Sequence, residues 1–316
     1  MAGDALQFGK ASRLSPSRRT FLTGGLAALA SGLGSASAAP TGLQSAPYPT
    51  RIVSLDDGLT ETLLGLGVTP IAMPQVEAWN DWVVEPRLPP GIVDLGTDRE
   101  PNLELLVRLA PDLIITTPYL AAIEPVMARI APTQTFSIYA PPGGHPYELS
   151  IKETLRLGAL LGRDSQAQAL IARGAATMKQ LRSRLRKAAD RPVLIVNFLD
   201  EGHLRIYGQR SLFQDVIDRC GLANGWTRPT NYWGFSTIGL GDLAVSPESR
   251  FLYFEPVAPG ILQSLATNPV WNSLLFVRAG RIHRLPAASA FGMLPSAMRF
   301  GTLLSSHLAD VENTHG

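Results

Sequence analysis

The side chains with the most to offer chemically are aromatic, and most of them sit in turns. Trp79, Trp82, Tyr119, Tyr232, Trp233, Phe235 and Phe291 lie mainly in turn-like segments. Loops on α/β scaffolds carry binding groups at the carboxyl ends of the strands. Taken singly each ring suits the core better than a ligand wall, but as a set in loops they also suit the wall of a ligand site. Reactive constellations are scarce beside them. The five histidines, His145, His203, His283, His307 and His315, show neither HxxxH nor HxH spacing. A zinc or iron site would have to be assembled from scattered positions. Cys220 is the single cysteine, which excludes a disulfide within the chain and thiol-rich metal sites. It reads as a small buried hydrophobe. No G-x-S-x-G elbow and no G-x-x-x-x-G-K-[ST] loop occurs. Gly65-Leu-Gly67 lacks the third glycine of a dinucleotide site and reads as a helix ending. Asp56-Asp57 reads as a helix cap rather than an acid–base pair.

The elements that must position these rings alternate along the chain. Arg51 to Leu55 reads as a strand, Asp57 caps the following helix, and Gly65 and Gly67 end it. Gly91–Gly96 reads as a short strand. A helix opens at Pro101-Asn102, Leu113–Ile115 is a buried strand, and Thr135–Tyr139 another. Continuous apolar strands between helices argue for parallel sheets covered by helices. From Tyr147 to about Ala189 the apolar residues keep helical spacing. Gly158 and Gly162 divide that stretch into two helices, the second long and ending in the basic run Arg182 to Arg191, a solvated helix end. Alternation resumes with strands at Pro192–Val196, Leu204–Tyr207, Phe251–Phe254 and Arg281–His283. Helices follow at Ser211–Cys220 and from about Pro295 to Leu308. The expected fold is α/β, with two Rossmann-like lobes joined by a long rigid backbone helix. Its segments are 50–147, 148–189 and 190–316.

The 316 residues fit two domains on length. Net charge is +2, but residues 1–38 hold Lys10, Arg13, Arg18 and Arg19 against Asp4. The rest has 24 basic and 25 acidic residues. A near-neutral body argues against nucleic acid as a partner. Ser17-Arg18-Arg19-Thr20-Phe21-Leu22, the apolar stretch Leu26–Leu33 and Ala36-Ser37-Ala38 make a signal peptide over residues 1–38. The arginine pair resembles a twin-arginine signal. The apolar run is too short to span a bilayer. A periplasmic protein beginning near Ala39 is expected.

Several loops together carry a resemblance. Gly96-Thr-Asp-Arg-Glu-Pro-Asn-Leu-Glu-Leu-Leu106, Ala110-Pro-Asp-Leu-Ile-Ile115 and Ala128-Arg-Ile-Ala-Pro132 come first. Tyr207-Gly-x-x-Ser-Leu-Phe-Gln214, Asn231-Tyr-Trp-Gly234, Phe276-Val-Arg-Ala-Gly-Arg281 and Ser296-Ala-Met-Arg-Phe300 follow in the same order. From about residue 50 onward the chain resembles periplasmic ferric-siderophore-binding proteins of ABC importers, specifically the ferric-hydroxamate (ferrichrome) type. The resemblance implies a ligand between two lobes that move little. It implies a ferric hydroxamate siderophore as cargo, an ABC importer permease as partner, a monomer, and no enzymatic activity or cofactor. Six siderophore oxygens wrap such iron, so the metal needs no protein ligand.

The resemblance also implies roles. Arg99 and Tyr119 would meet the chelate oxygens, since guanidinium and hydroxyl groups donate hydrogen bonds. Arg99 stands one position after the family's arginine, where Asp98 is found. Trp233, with Asn231 beside it, would cover the ligand, and Trp82 and Phe291 would line its edges. Phe291 stands near the place of a family tryptophan, which makes that wall smaller. Glu124 and Asp242 would dock on permease arginines. A haem or corrinoid binder of the same fold is one alternative. An exported enzyme with a redox cofactor is the other.

Overall fold

The computed structural model describes residues 48–309. The expected signal peptide, with Arg18 and Arg19, lies outside the described residues. Five parallel strands form the first sheet: β1 Ile52–Ser54, β2 Ala72–Met73, β3 Val93–Asp94, β4 Leu113–Thr116 and β5 Thr133–Thr135. Their order is β3-β2-β1-β4-β5. Helices α1 Asp57–Gly65, α2 Trp79–Trp82, α3 Leu103–Leu109 and α4 Glu124–Met127 connect them. Central β1 is wholly buried, as a strand covered on both faces must be.

Two helices follow, α5 Pro146–Leu161 and α6 Asp164–Arg184. Gly162, with φ +62°, ends the first. A positive φ carries no Cβ penalty in glycine, so the break falls there. The second sheet contains β6 Val193–Phe198, β7 His203–Tyr207, β8 Phe235–Gly239, β9 Arg250–Phe254 and β10 Ile282–Leu285. Helix α7 Leu212–Cys220 lies between β7 and β8. Helices α8 Ile261–Thr267, α9 Pro269–Ser273 and α10 Leu275–Arg278 lie between β9 and β10. Helix α11 Leu294–Ala309 closes the described chain.

Three expectations are corrected. The second sheet, ordered β10-β9-β6-β7-β8, is mixed: β6–β7 and β7–β8 pair antiparallel. Only four residues separate β6 from β7, too few for a parallel crossover. Asp200 Oδ1 instead closes a hairpin turn, accepting from Gly202 N and His203 N, both at 2.8 Å. The cap of α1 is Asp56, whose Oδ1 accepts from Leu59 N at 2.9 Å; Asp57 is the first helical residue. The strand expected at Thr135–Tyr139 begins and ends earlier, as β5. Its last ladder bond runs from Phe136 N to Thr116 O, so Phe136–Tyr139 run past the end of the pairing.

One apolar core runs through both sheets. Ile52, Leu113 and Ile115 of the first belong to the same buried cluster as Val193, Ile195 and Tyr207 of the second. Leu170, Met178 and Leu181 of α6 and Phe300 and Leu304 of α11 join them. A polar junction crosses this core. Glu61 on α1 is fully buried. It accepts from the backbone N–H groups of Met293 and Ser296 and from Ser296 Oγ at 2.6 Å. These are the orphan donors at the start of α11. Arg299 of α11 also pairs with Glu85, beyond α2, at 3.1 Å.

Burial outweighs those three hydrogen bonds and pushes the Glu61 carboxyl up to about 8. A carboxyl raised in the folded chain holds its proton more tightly there than in the unfolded chain. It therefore adds stability at low pH and gives it up as pH climbs from the ordinary carboxylate range through about 8. The urea midpoint should fall between pH 5 and 8.5, and Glu61→Gln, which stays neutral, should flatten that fall. An equally steep profile in the variant would place the titration elsewhere.

Candidate ligand-binding site

In the first sheet every strand runs the same way, so all five carboxyl ends open on one edge. The residues just past those ends are Asp56 and Asp57, Gln75, Asp98 and Arg99, Tyr119, and Tyr139. From the second half, the turn before β8 brings Tyr232 and Trp233, and the loop before α11 brings Phe291.

These rings meet. Trp233 stacks on Tyr139 at 5.9 Å and 20° and stands edge-on to Tyr119 at 6.2 Å and Phe291 at 5.5 Å. Phe291 in turn meets Tyr139 at 5.7 Å and Phe235 at 6.0 Å. Offset and edge-to-face contacts of this kind are the favoured geometries. Trp233 is thus shared between residues carried by both sheets. The Tyr139 hydroxyl donates to Gly292 O at 2.9 Å and lies 3.3 Å from Ala290 O, which holds the loop bearing Phe291. Burial pushes that hydroxyl well above the ordinary phenol range, with Glu61 and Asp56 adding to the shift.

The turn presenting Trp233 is built by its own sequence. Asn231 Oδ1 accepts from Trp233 N at 3.0 Å and Phe235 N at 3.2 Å. Gly234 adopts φ +82°, and a Cβ there would lie 2.2 Å from Ser211 N. Glycine is therefore required. Asn231 is a positioning residue in this geometry, since its side-chain oxygen is engaged by the backbone.

The other sequence candidates fall outside the ring cluster. Trp82 is 51% exposed on α2 and makes no ring contact with the cluster. Its neighbour Trp79 turns inward and donates to Pro86 O at 2.9 Å. Arg99 is exposed and forms no hydrogen bond or ion pair with the described residues. Glu124, at the start of α4, accepts from Thr135 Oγ1 at 2.9 Å. Asp242 pairs with Arg228 at 2.9 Å and accepts from Gly239 N at 3.1 Å.

The strand-end wall of the first half is acidic. Burial raises Asp56 to about 6 and Asp57 to about 7; Asp56 adds repulsion on Asp57, and Asp98 adds to both. Among the described residues no group of three or more His, Cys, Asp or Glu side chains could hold a metal ion. A groove of about 520 Å³ lies elsewhere, between α1, α6 and α11, lined by Glu61, Arg173 and Arg299 among others.

Three residues in or against the ring cluster do not stand out as ligand candidates in the sequence. Tyr139 reads as the end of a strand, and Phe235 as one of the turn aromatics. Arg205 stands in an apolar strand, Leu204-Arg-Ile-Tyr207, where period-2 alternation puts it on the face opposite Leu204 and Ile206. That alternation was the available signal.

Two α/β halves, a helical connector and a ring-lined meeting of their loops are the build of a two-lobed solute-binding protein. The chain belongs to the periplasmic binding protein family, whose pattern matches residues 52–288. It is 32% identical over 258 residues to the iron(3+)-hydroxamate-binding protein FhuD of Escherichia coli, covering 82% of this chain and 86% of that one. It is 27% identical to the achromobactin-binding periplasmic protein of Dickeya dadantii, covering 84% and 87%. Its fold superposes on the crystal structure of the Fe3+-Desferal-bound siderophore-binding protein FhuD of Vibrio cholerae with a TM-score of 0.78. That match has 26% identity and covers 83% of this chain and 98% of the other.

Gly234→Ala should cost about 1–3 kcal/mol from the strained backbone alone. Tyr139→Phe should cost about 1 kcal/mol for its lost hydrogen bonding. Urea denaturation measures both, and near-ultraviolet circular dichroism should change most in Gly234→Ala, where Trp233 moves. An unchanged tryptophan signal would mean that the turn does not set the ring.

Proposed function

We propose that this protein captures a ferric hydroxamate siderophore outside the cytoplasm and delivers it to an ABC importer. The observation that carries the reading is the shared ring cluster around Trp233, in a chain whose relatives include FhuD of Escherichia coli. A hydroxamate chelate presents an apolar body and an oxygen-rich face around its iron. Rings cover the first at low entropy cost. Tyr119, 46% exposed beside Trp233, donates a hydrogen bond to the second. Phe291 extends the apolar wall, Trp82 lies at the outer rim, and Asn231 holds the turn. The protein is a binding protein and not an enzyme in this reading, and it works as a monomer. The described residues 48–309 form one compact unit. No helix among the described residues is long and apolar enough to cross a membrane. The Arg18-Arg19 pair and Ala36-Ser37-Ala38 support twin-arginine export to the periplasm.

Glu124 and Asp242 lie on the first and second halves and serve as the docking carboxylates for the permease. Their intramolecular partners are a hydroxyl, a backbone N–H and one half-exposed arginine. Such an exposed pair is weak and open to exchange with an incoming arginine.

Tryptophan fluorescence titration tests the ligand. Ferric hydroxamates should quench, while ferric catecholates, haem and cobalamin should bind more weakly. Trp233→Ala should lose about 2 kcal/mol, or about thirtyfold in affinity, for every ferric hydroxamate. Tyr119→Phe should lose about tenfold. If both variants bind like the parent, the ring cluster is not the site.

Docking is tested in cells. Glu124→Lys combined with Asp242→Lys should abolish siderophore uptake and leave affinity within about twofold of the parent. Normal uptake by that double variant would remove both residues from the docking surface.

A further inference from the structure

The ring cluster has a cationic floor that comes from the second half. Arg205 lies on β7, paired with Asn197 on β6 and Thr237 on β8. Directly paired residues share a face, so these three form a polar row across the sheet. Leu204 and Ile206 point the other way, into the core. The Arg205 guanidinium carbon lies 4.4 Å from the centre of the Phe235 ring and 5.7 Å from that of Phe291. Phe291 is itself in contact with Trp233. The arginine is therefore packed against the rings that line the site.

Its bonding is incomplete. Beside it the Tyr207 hydroxyl donates to Asn197 Oδ1 at 2.9 Å, and the nearby Arg205 charge favours the ionised phenol against the upward push of burial. Arg205 Nε is buried and has no hydrogen-bond partner. No carboxylate among the described residues pairs with the guanidinium. Arg205 is half-buried, and a sealed N–H with neither a counter-charge nor an acceptor is costly to leave unmatched. A guanidinium fork matches pairs of negative oxygens with fixed geometry. Arg99 offers a contrast. It is exposed, packs on no ring, and is flanked by Asp98 and Glu100. The strand ends around it are crowded with the carboxyl groups of Asp56, Asp57 and Asp98, which offer no positive charge to negative oxygen.

We infer that Arg205, from the second half, is the guanidinium that meets the iron-bound hydroxamate oxygens of the ligand. This rests on the siderophore reading and assigns the orientation within it: the oxygen-rich face of the chelate is turned toward β7, and Trp233 covers its flank. Arg99 then lies at the rim and contributes little to affinity.

The experiment compares parent, Arg205→Gln, Arg205→Lys and Arg99→Gln by fluorescence titration. The probes are ferrichrome, ferrioxamine B and their metal-free forms, and urea midpoints are recorded for every variant. Arg205→Gln should weaken both ferric chelates about ten- to hundredfold, the range of a charge-assisted hydrogen bond. Arg205→Lys keeps the charge without the fork and should fall between Gln and the parent. Arg99→Gln should change affinity by less than about threefold. Metal-free hydroxamic acids are protonated and uncharged near neutral pH, so they offer the guanidinium little. The preference for ferric over metal-free ligand should therefore shrink in Arg205→Gln, whereas a purely structural role would lower both affinities together. Equal loss for both forms, affinity like the parent, or a larger loss in Arg99→Gln would each overturn the assignment while the siderophore reading stands. A parent protein that binds no ferric hydroxamate would overturn both.

Discussion

The fold's two halves are held in register by a carboxyl buried at a helix start. Glu61 leaves α1 in the first half and occupies the N-terminal end of α11, which packs on the second. Separating the halves would expose the Met293 and Ser296 donors and uncover an apolar core that runs through both sheets. Both changes are unfavourable, and they act together. The consequence reaches the site directly, because Phe291 sits two residues before Met293 and Tyr139 binds the carbonyls on either side of it. The rings are thus fixed by the same junction that fixes the halves. A surface that is already arranged loses little entropy on binding, so more of each contact appears as affinity.

That junction is chemically tense. A helix N-terminus favours a negative charge, and burial opposes one. For Glu61 burial prevails, which leaves a neutral acid in the middle of the protein at neutral pH. Asp56 and Asp57 lie at the start of α1 and are raised by burial too, with Asp98 adding repulsion. The first half therefore brings to the ring cluster carboxyl groups that hold their protons unusually well. The second brings Arg205, backed by rings and without an acidic partner among the described residues. The asymmetry is one of charge, while the aromatic surface is shared.

Much of the architecture was legible in the sequence because burial leaves a strong pattern. Apolar strands alternating with helices announced the first sheet, and a forty-residue helical period broken at Gly158 and Gly162 announced α5 and α6. What was not legible turned on single residues or on partners distant in sequence. Two adjacent aspartates compete for one cap, and only the backbone decides that Asp56 takes it. The edge strand β5 is short because its pairing with β4 ends at Phe136, and no propensity marks that point. The seven residues between the expected strands Pro192–Val196 and Leu204–Tyr207 are already too few for a parallel crossover, so the antiparallel ribbon was within reach of the sequence, but β8 was not. Phe235–Gly239 contains a serine, a threonine and two turn-forming neighbours, and it becomes a strand by pairing with β7. At the site, Trp233 announced itself by its turn. Tyr139 did not, because nothing local says that its hydroxyl will find two carbonyls about 150 residues away.

Arg205 shows the same limit from the opposite side. Within its own strand the residue is an anomaly, a charged side chain among apolar ones, and sequence alone offers snorkelling to solvent as a sufficient account. The register removes that account. Pairing with Asn197 and Thr237 places Arg205 on the polar face, Phe235 and Phe291 cover its guanidinium, and its Nε is sealed from water without a partner. A side chain that only needed water would stand clear of the rings, and exposed Arg99 at the other wall packs on none. The protein instead keeps a permanently charged group at the base of an aromatic surface, where the local dielectric strengthens any contact with negative oxygen. An oxygen-rich chelate is the kind of ligand that relieves such a position, because it supplies acceptors without requiring that the protein bury a carboxylate of its own.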